Sequence, residues 1–434
     1  MTKLQGKKFR SFLFTHKVIL IVMILLLAER LVAMYRLNAA YTLYSDDLSY
    51  VRSGLVFAST GKITMHDAYP SAQIMPGMTV LIGIISMIFG EGTMLWVVLK
   101  LLWISMGTMT AWFIYRSVCI FAPRWCGVAA ALPLFIPNFV WQDNLILTET
   151  PFLLFFTAAV YFTFKMGRDG QWRDFWGFLT AYMGALIFRA NIAPYPIFAL
   201  LYLLVVKYDR KRLLRQYVLL ACALLCFVIP WGIRNYIRFG EFIPLTYGLG
   251  NPMLLGTYQG VGYPEDDELD YVTNVDDVLR EEYAAYFEAD GNVREGLERY
   301  INLKRDEIQA KYRMKVWWQT DPESMLYSYL VLKPKIMLTS SFYWQEIFRF
   351  PLAWIVCLQY QIFLLGAAGI TAALILRKNR WQMLWIVIIF FGNLYLYAMA
   401  FAFDRYLVSL LPLVYIAGGI GLGMINQLLP REQA

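Results

Sequence analysis

The chain has 434 residues, 59% of them hydrophobic and only 16% charged, with a mean hydropathy of +0.50. A soluble domain averages ~25% charged residues, so a soluble enzyme is excluded and a polytopic membrane protein is expected. The net charge of +8 comes without a dense basic run, which suits loops on a membrane surface and argues against a nucleic-acid partner.

Lys3, Lys7, Lys8, Arg10 and Lys17 precede a first apolar run over 18–35. No small-residue cleavage site follows it, and Glu29-Arg30 interrupts it late, so it reads as a retained span with a cytoplasmic N-terminus. Residues 38–92 are then external. They carry the adjacent carboxylates Asp46 and Asp47, then His66-Asp67 and Met75-Pro76-Gly77. Ionisable groups at a membrane edge are costly and hence functional suspects; the plainer reading is an acid pair that caps an interfacial helix. The apolar run 76–89 has only 14 residues where a span needs ~20. Reading it as re-entrant or interfacial places four later basic loops in the cytoplasm together. Spans then follow at 93–119, 125–141, 147–166, 175–188, 194–206 and 219–231. The basic loops between them hold Arg116 and Arg124, Lys165, Arg168 and Arg173, and 207–215.

From 234 to 350 the apolar pattern breaks. The stretch 264–282 is acidic, amphipathic helical patterns follow over 293–316 and 321–338, and Asp321-Pro322-Glu323 has the form of a helix start. Spans at 352–376, 381–403 and 406–428 close the chain. The expectation is all-α: about ten spans, both termini cytoplasmic, divided into a seven-span module at 1–233, a mainly helical external insert at 234–350 and a three-span bundle at 351–434. Gly418, Gly419, Gly421 and Gly423 form a small-residue face suited to close helix packing. Five cysteines and two histidines make a zinc site or disulfide framework improbable.

This topology gathers Asp46, Asp47, Glu149, Arg189, Arg234, Arg238 and Asp404-Arg405 on one membrane face. Arginine recognises phosphate bidentately, and a carboxylate can deprotonate an attacking hydroxyl. Equally, arginines there can snorkel to headgroups, and Glu149 can be a helix-start acid favoured by the dipole. There is no Walker loop, dinucleotide fingerprint, zinc-protease motif or serine-hydrolase elbow.

Five stretches carry a family resemblance: Asp46-Asp47 with the segment to Gly61, Met75-Pro76-Gly77 through Phe89-Gly90, Thr148-Glu149, Pro230-Trp231-Gly232-Ile233-Arg234-Asn235-Tyr236, and Asp404-Arg405-Tyr406 with Leu411-Pro412. Together they resemble the GT-C type membrane glycosyltransferases of family 39, which include the dolichyl-phosphate-mannose–protein mannosyltransferases and the aminoarabinose transferases. The chain departs from the family in having Asp-Asp where Asp-Glu is frequent, and Met75 where His or Lys often precedes the proline. The resemblance implies an inverting transfer of a sugar from a polyprenyl phosphate to an external glycan, lipid or protein acceptor, with the enzyme in the cell membrane. It implies Asp46 as base, Asp47 and Glu149 as assisting residues or ligands of a divalent cation such as Mg or Mn, and Arg189, Arg234 or Arg405 on the donor phosphate. The alternatives are a translocator of polyprenyl-linked sugars, which would use the same charges without chemistry, and a scaffold subunit whose acidic insert binds a partner.

Overall fold

The computed structural model describes residues 3–428, with side chains from residue 14 onward. The side chains of Lys3, Lys7, Lys8 and Arg10, on which the cytoplasmic N-terminus rested, lie outside the described ones, as does the C-terminal segment 429–434. Among the described residues every regular element is a helix. The first half holds α1 (Lys3–Leu37), α2 (Asp46–Thr60), α3 (Gly77–Phe89), α4 (Thr93–Val118), α5 (Arg124–Ala131), α6 (Pro137–Gln142), α7 (Glu149–Asp169), α8 (Trp172–Phe188), α9 (Tyr195–Val205) and α10 (Arg210–Phe239). The short helices α11 (Gly250–Gly256) and α12 (Asp277–Glu282) follow, then α13 (Glu298–Thr320), α14 (Pro322–Tyr327) and α15 (Lys333–Thr339). The chain ends in α16 (Leu352–Leu376), α17 (Arg380–Ala398), α18 (Asp404–Val408) and α19 (Leu411–Leu428).

Seven helical stretches among the described residues are long and apolar enough to cross a membrane: 14–37 in α1, α4, α7, α10, α16, α17, and α18 with α19. This is an integral membrane protein. The other three expected spans are helical but shorter or interrupted. The segment 125–141 is broken where Pro133 and Pro137 remove backbone donors, so α5 passes through a 3₁₀ turn before α6. The helices α8 and α9 have 17 and 11 residues. The 13-residue α3 rises only ~20 Å against a hydrocarbon core of ~30 Å. The insert has no break at its start, because α10 runs on through Arg234 to Phe239. The expected helix over 321–338 is present, with the Asp321 carboxylate accepting from the Ser324 N–H at 3.0 Å and Pro322 in the first turn.

Packing brings one end of the bundle together. Gly369 and Gly421 let α16 and α19 touch backbone to backbone: a Cβ at Gly421 would collide with Gly369 Cα. Arg30, fully buried in α1, donates from Nε to Asp143 Oδ2 at 2.7 Å, and Thr150 donates to the other Asp143 oxygen at 2.8 Å. A fully buried, hydrogen-bonded pair of this kind costs ~3–5 kcal/mol to break. It fixes the start of α7 against α1. Lys100 of α4, also buried, donates to the carbonyls of Tyr41 (2.8 Å) and Asn144, tying the segment before α2 to the segment before α7. The insert rests on that same end through a second apolar cluster in which Ala72 joins Trp231, Phe239, Ile243, Tyr247 and Tyr300.

Candidate active site

The helix α2 begins at the paired acids, and the two face different surroundings. Asp47 is 1% exposed and accepts the backbone N–H of Leu43 at 2.7 Å and of Ser45 at 3.2 Å. It holds the turn that enters α2 through backbone donors that precede the helix. Asp46 keeps 28% of its side chain exposed and turns toward α18, where Arg405 Nη2 donates to its Oδ2 at 3.0 Å.

Arg405 joins two carboxylates from distant parts of the chain. Its Nε lies 2.9 Å from Glu149 Oε1, although off the line of a hydrogen bond, so this contact is an ion pair by distance. Glu149 stands in the first turn of α7, 1% exposed, and also accepts from Arg189 Nη1 at 2.8 Å. Arg189 ends α8 in extended backbone, and the rings of Phe152, Tyr397 and Tyr406 lie 5.3–6.0 Å from its guanidinium carbon. Cation–π contact of this kind holds a guanidinium that water cannot fully reach. The constellation Asp46–Arg405–Glu149–Arg189 thus draws on α2, α7, α8 and α18.

Two neighbours to which the sequence assigned no role join the site. His66 stands in left-handed backbone with its Nε2 at 3.6 Å from Asp46 Oδ1 and its Nδ1 at 3.1 Å from Ser49 Oγ. Burial, then the charge of Arg299, push its imidazole below the ordinary value, against the pull of Asp46 and Asp67. Tyr50, four residues after Asp46, is buried, and burial followed by the Asp46 charge raises its phenol well above the ordinary value. In sequence Tyr50 is marked by its place next to the acid pair and His66 by its place in the same external stretch.

Arg234 is elsewhere. Its Nη1 donates to Ser71 O at 2.9 Å and to Asn235 Oδ1 at 2.8 Å, and its guanidinium lies 5.1 Å from the Trp231 ring. With Lys62, Ile63, Phe227, Trp231 and Arg238 it lines a cavity of about 540 Å³ beside α10. Its lining combines apolar side chains with the basic Lys62, Arg234 and Arg238. Arg238 donates to Gly296 O at 3.1 Å, while its Nε is buried without a hydrogen-bond partner.

A divalent cation shared by Asp47 and Glu149 does not fit this donor set. Both Asp47 oxygens are engaged by backbone N–H groups, and two guanidinium groups occupy the space facing Glu149. Among the described residues no three His, Cys, Asp or Glu groups come together around one point.

Residues 73–233 match the family model described as dolichyl-phosphate-mannose-protein mannosyltransferase. The archaeal oligosaccharyltransferase AglB from Archaeoglobus fulgidus, in complex with an inhibitory peptide and a dolichol-phosphate, superposes with a TM-score of 0.54 at 13% identity, over 95% of this chain and 51% of that one. The fold is that of the GT-C glycosyltransferases. The apo oligosaccharyltransferase of the same organism gives a TM-score of 0.53 at 16% identity, over 92% and 50% of the two chains. ArnT from Cupriavidus metallidurans bound to undecaprenyl phosphate gives 0.41 at 15% identity, over 95% and 78%. The chain thus spans about half the length of the oligosaccharyltransferase it matches. No curated protein sequence matches it. The segment matched by that family model holds Glu149 and Arg189, and the fold brings Asp46 and Arg405 to them from outside that segment.

Proposed function

We propose that this chain transfers a sugar from a polyprenyl phosphate to a hydroxyl-bearing acceptor on the extracytoplasmic face, with inversion at the sugar carbon. The observation that carries the reading is Arg405 bridging the partly exposed Asp46 to the buried Glu149, with Arg189 beside it. In the proposed step the acceptor oxygen attacks C1 of the sugar and the bond from C1 to the phosphate oxygen breaks. The acceptor proton passes to Asp46, and the polyprenyl phosphate leaves with the bonding pair. Positive charge fixed where the leaving group develops negative charge lowers the barrier, and Arg405 and Arg189 are the cations placed for it. Asp47 assists only by shaping the turn that presents Asp46. The residues 234–350 are proposed as an external layer that contacts the acceptor. A sugar-transfer assay in detergent with polyprenyl-phosphate sugars tests the reading. Bound donor without any transferred product, across a panel of sugars and acceptors, would instead support a translocator.

The cavity at Arg234 supports a separate role for that residue: receiving the lipid phosphate as the donor enters from the bilayer surface, before that phosphate moves on to Arg405 and Arg189, with the polyprenyl chain against the apolar lining. Its wall residue Ile63 is three positions before His66, a reach of at most ~11 Å. Arg234→Gln is therefore expected to weaken donor binding ~10-fold and leave turnover at saturating donor within about twofold, since a charge-assisted contact is worth ~1.5–3 kcal/mol. A fall in kcat without a change in donor affinity would move Arg234 into the reacting group.

His66 gives a pH dependence. Its lowered pKa means that the folded chain binds its proton only at a pH below the ordinary ~6.5, so the associated stability is lost as pH falls through the folded value. Protonated His66 ion-pairs with Asp46 and competes for the base. Transfer is expected to decline on the acid side of pH ~6.5, and His66→Gln is expected to extend activity to lower pH. An unchanged acid limb in that variant would overturn the part given to His66.

A further inference from the structure

Arg405 follows an irregular segment, residues 399–403, that joins α17 to α18. Ala402 within it is buried, where irregular backbone must find partners for its polar groups, and three side chains from 259–344 hold the segment. Gln259, just beyond α11, pairs with both sides of Ala402: its Nε2 donates to Ala402 O at 3.0 Å, and Ala402 N–H donates to its Oε1 at 2.7 Å. Lys333 at the start of α15, fully buried, donates from Nζ to Ala400 O at 3.4 Å. Trp344 donates from Nε1 to Asp404 Oδ2 at 3.0 Å. Gln259 is itself anchored, because two residues earlier Thr257 Oγ1 accepts from the buried Arg313 Nε at 2.8 Å, tying this stretch to α13. Gly256, at the end of α11, lies so close to Ala400 that a Cβ there would strike the Ala400 carbonyl.

We infer that Gln259 is a positioning residue for Arg405, and that the insert sets the geometry of the arginine bridge through it. The inference rests on the functional reading of Arg405 given above. The bidentate pair fixes Ala402 in two directions at once, three residues before the guanidinium that must meet Asp46 and Glu149. An occupant that shifts α11 or α13 shifts Gln259, and with it the bridge. The insert is then a part of the site and not only a cover over it. Lys333 and Trp344 hold the two ends of the same segment, so the three contacts act as one clamp.

The test uses the full chain in detergent with Gln259→Met, which keeps the length and removes both hydrogen bonds, and with Gln259→Glu, which keeps the acceptor for Ala402 N–H but sets a carboxylate against Ala402 O. Misplacing a reacting group by ~1 Å can cost ~10²-fold in rate. Both variants are expected to lower kcat about 10- to 100-fold, with donor affinity within about twofold and melting nearly unchanged. Hydrogen exchange of the peptide covering 399–405 should quicken. In an Arg405→Gln background, Gln259→Met should add no further loss, because the two act through one contact chain. Additive losses in the two backgrounds, or a rate loss that only follows lost melting temperature, would overturn the inference. Exchange is read without turnover: if the wild-type chain transfers no sugar, the functional reading fails, while slow exchange at 399–405 that Gln259→Met abolishes still upholds the clamp and unaltered exchange overturns it.

Discussion

Asp46→Asn is expected to lower the sugar-transfer rate ~10²–10⁴-fold, the usual worth of a general base, while folding and donor binding persist. The amide keeps an oxygen for Arg405 and a similar shape, so the bridge to Glu149 survives and only the proton acceptor is lost. Of the three candidate carboxylates Asp46, Asp47 and Glu149, Asp46 is the one a substrate hydroxyl can reach: its side chain is 28% exposed, while Asp47 and Glu149 are each 1% exposed. The fall should appear in kcat and in kcat/KM alike, as for an interaction made in the transition state. Asp47→Asn should behave differently. Two N–H donors aim at its two oxygens, and an amide nitrogen facing one of them loosens the turn, so rate and melting temperature should fall together. Near-normal transfer by Asp46→Asn, with Asp47→Asn inactive but thermally intact, would exchange the two roles.

The helical membrane bundle was legible in the sequence because apolar periodicity and length report directly on burial in a bilayer. The small-residue face of the last span was legible as a place of close helix packing, and the structure supplies its partner, α16 at Gly369. Of the ten expected spans, seven are helices long and apolar enough to cross a membrane among the described residues, and three are shorter or interrupted. Pro133 and Pro137 break the segment 125–141, yet a hydropathy window weighs a proline as one residue of twenty and misses its missing N–H. The site was legible as a list but not as a set of contacts. The sequence placed Arg189, Arg234 and Arg405 on one face as equivalent candidates. Structure separates Arg234, which turns to Ser71 O, from the two that meet Glu149. Nothing local to Arg234 signals this, since the choice depends on where the segment 61–76 lies against α10. Likewise the adjacent acids look alike in sequence. One helix position rotates a side chain by ~100°, which turns Asp46 toward α18 and leaves Asp47 under the turn. His66 and Gln259 matter through partners in other segments, 20 and 143 residues away. No motif marks such residues.

Arg405→Lys is expected to leave the chain folded and the donor bound but to reduce turnover ~10²–10³-fold, the scale of losing one preorganised charge at a transition state. The geometry sets this expectation. One guanidinium places Nη2 at 3.0 Å from Asp46 and Nε at 2.9 Å from Glu149, and a lysine has a single ammonium for both tasks. Lysine keeps the net charge, so Glu149 is not left with less compensation than Arg189 alone provides. Arg405→Ala removes the charge as well. A fully buried pair broken on one side costs ~3–5 kcal/mol. Here the loss should lie near ~2–3 kcal/mol, below that range, because Arg189 still faces Glu149 and water reaches Asp46. The two variants therefore separate the contributions: Arg405→Ala should lose melting temperature and rate, Arg405→Lys mainly rate. Arg189→Lys, with only Glu149 to hold, should be the milder change. Full turnover in Arg405→Lys would mean that a point charge suffices there, and the bridging of Asp46 to Glu149 would then serve folding and not transfer.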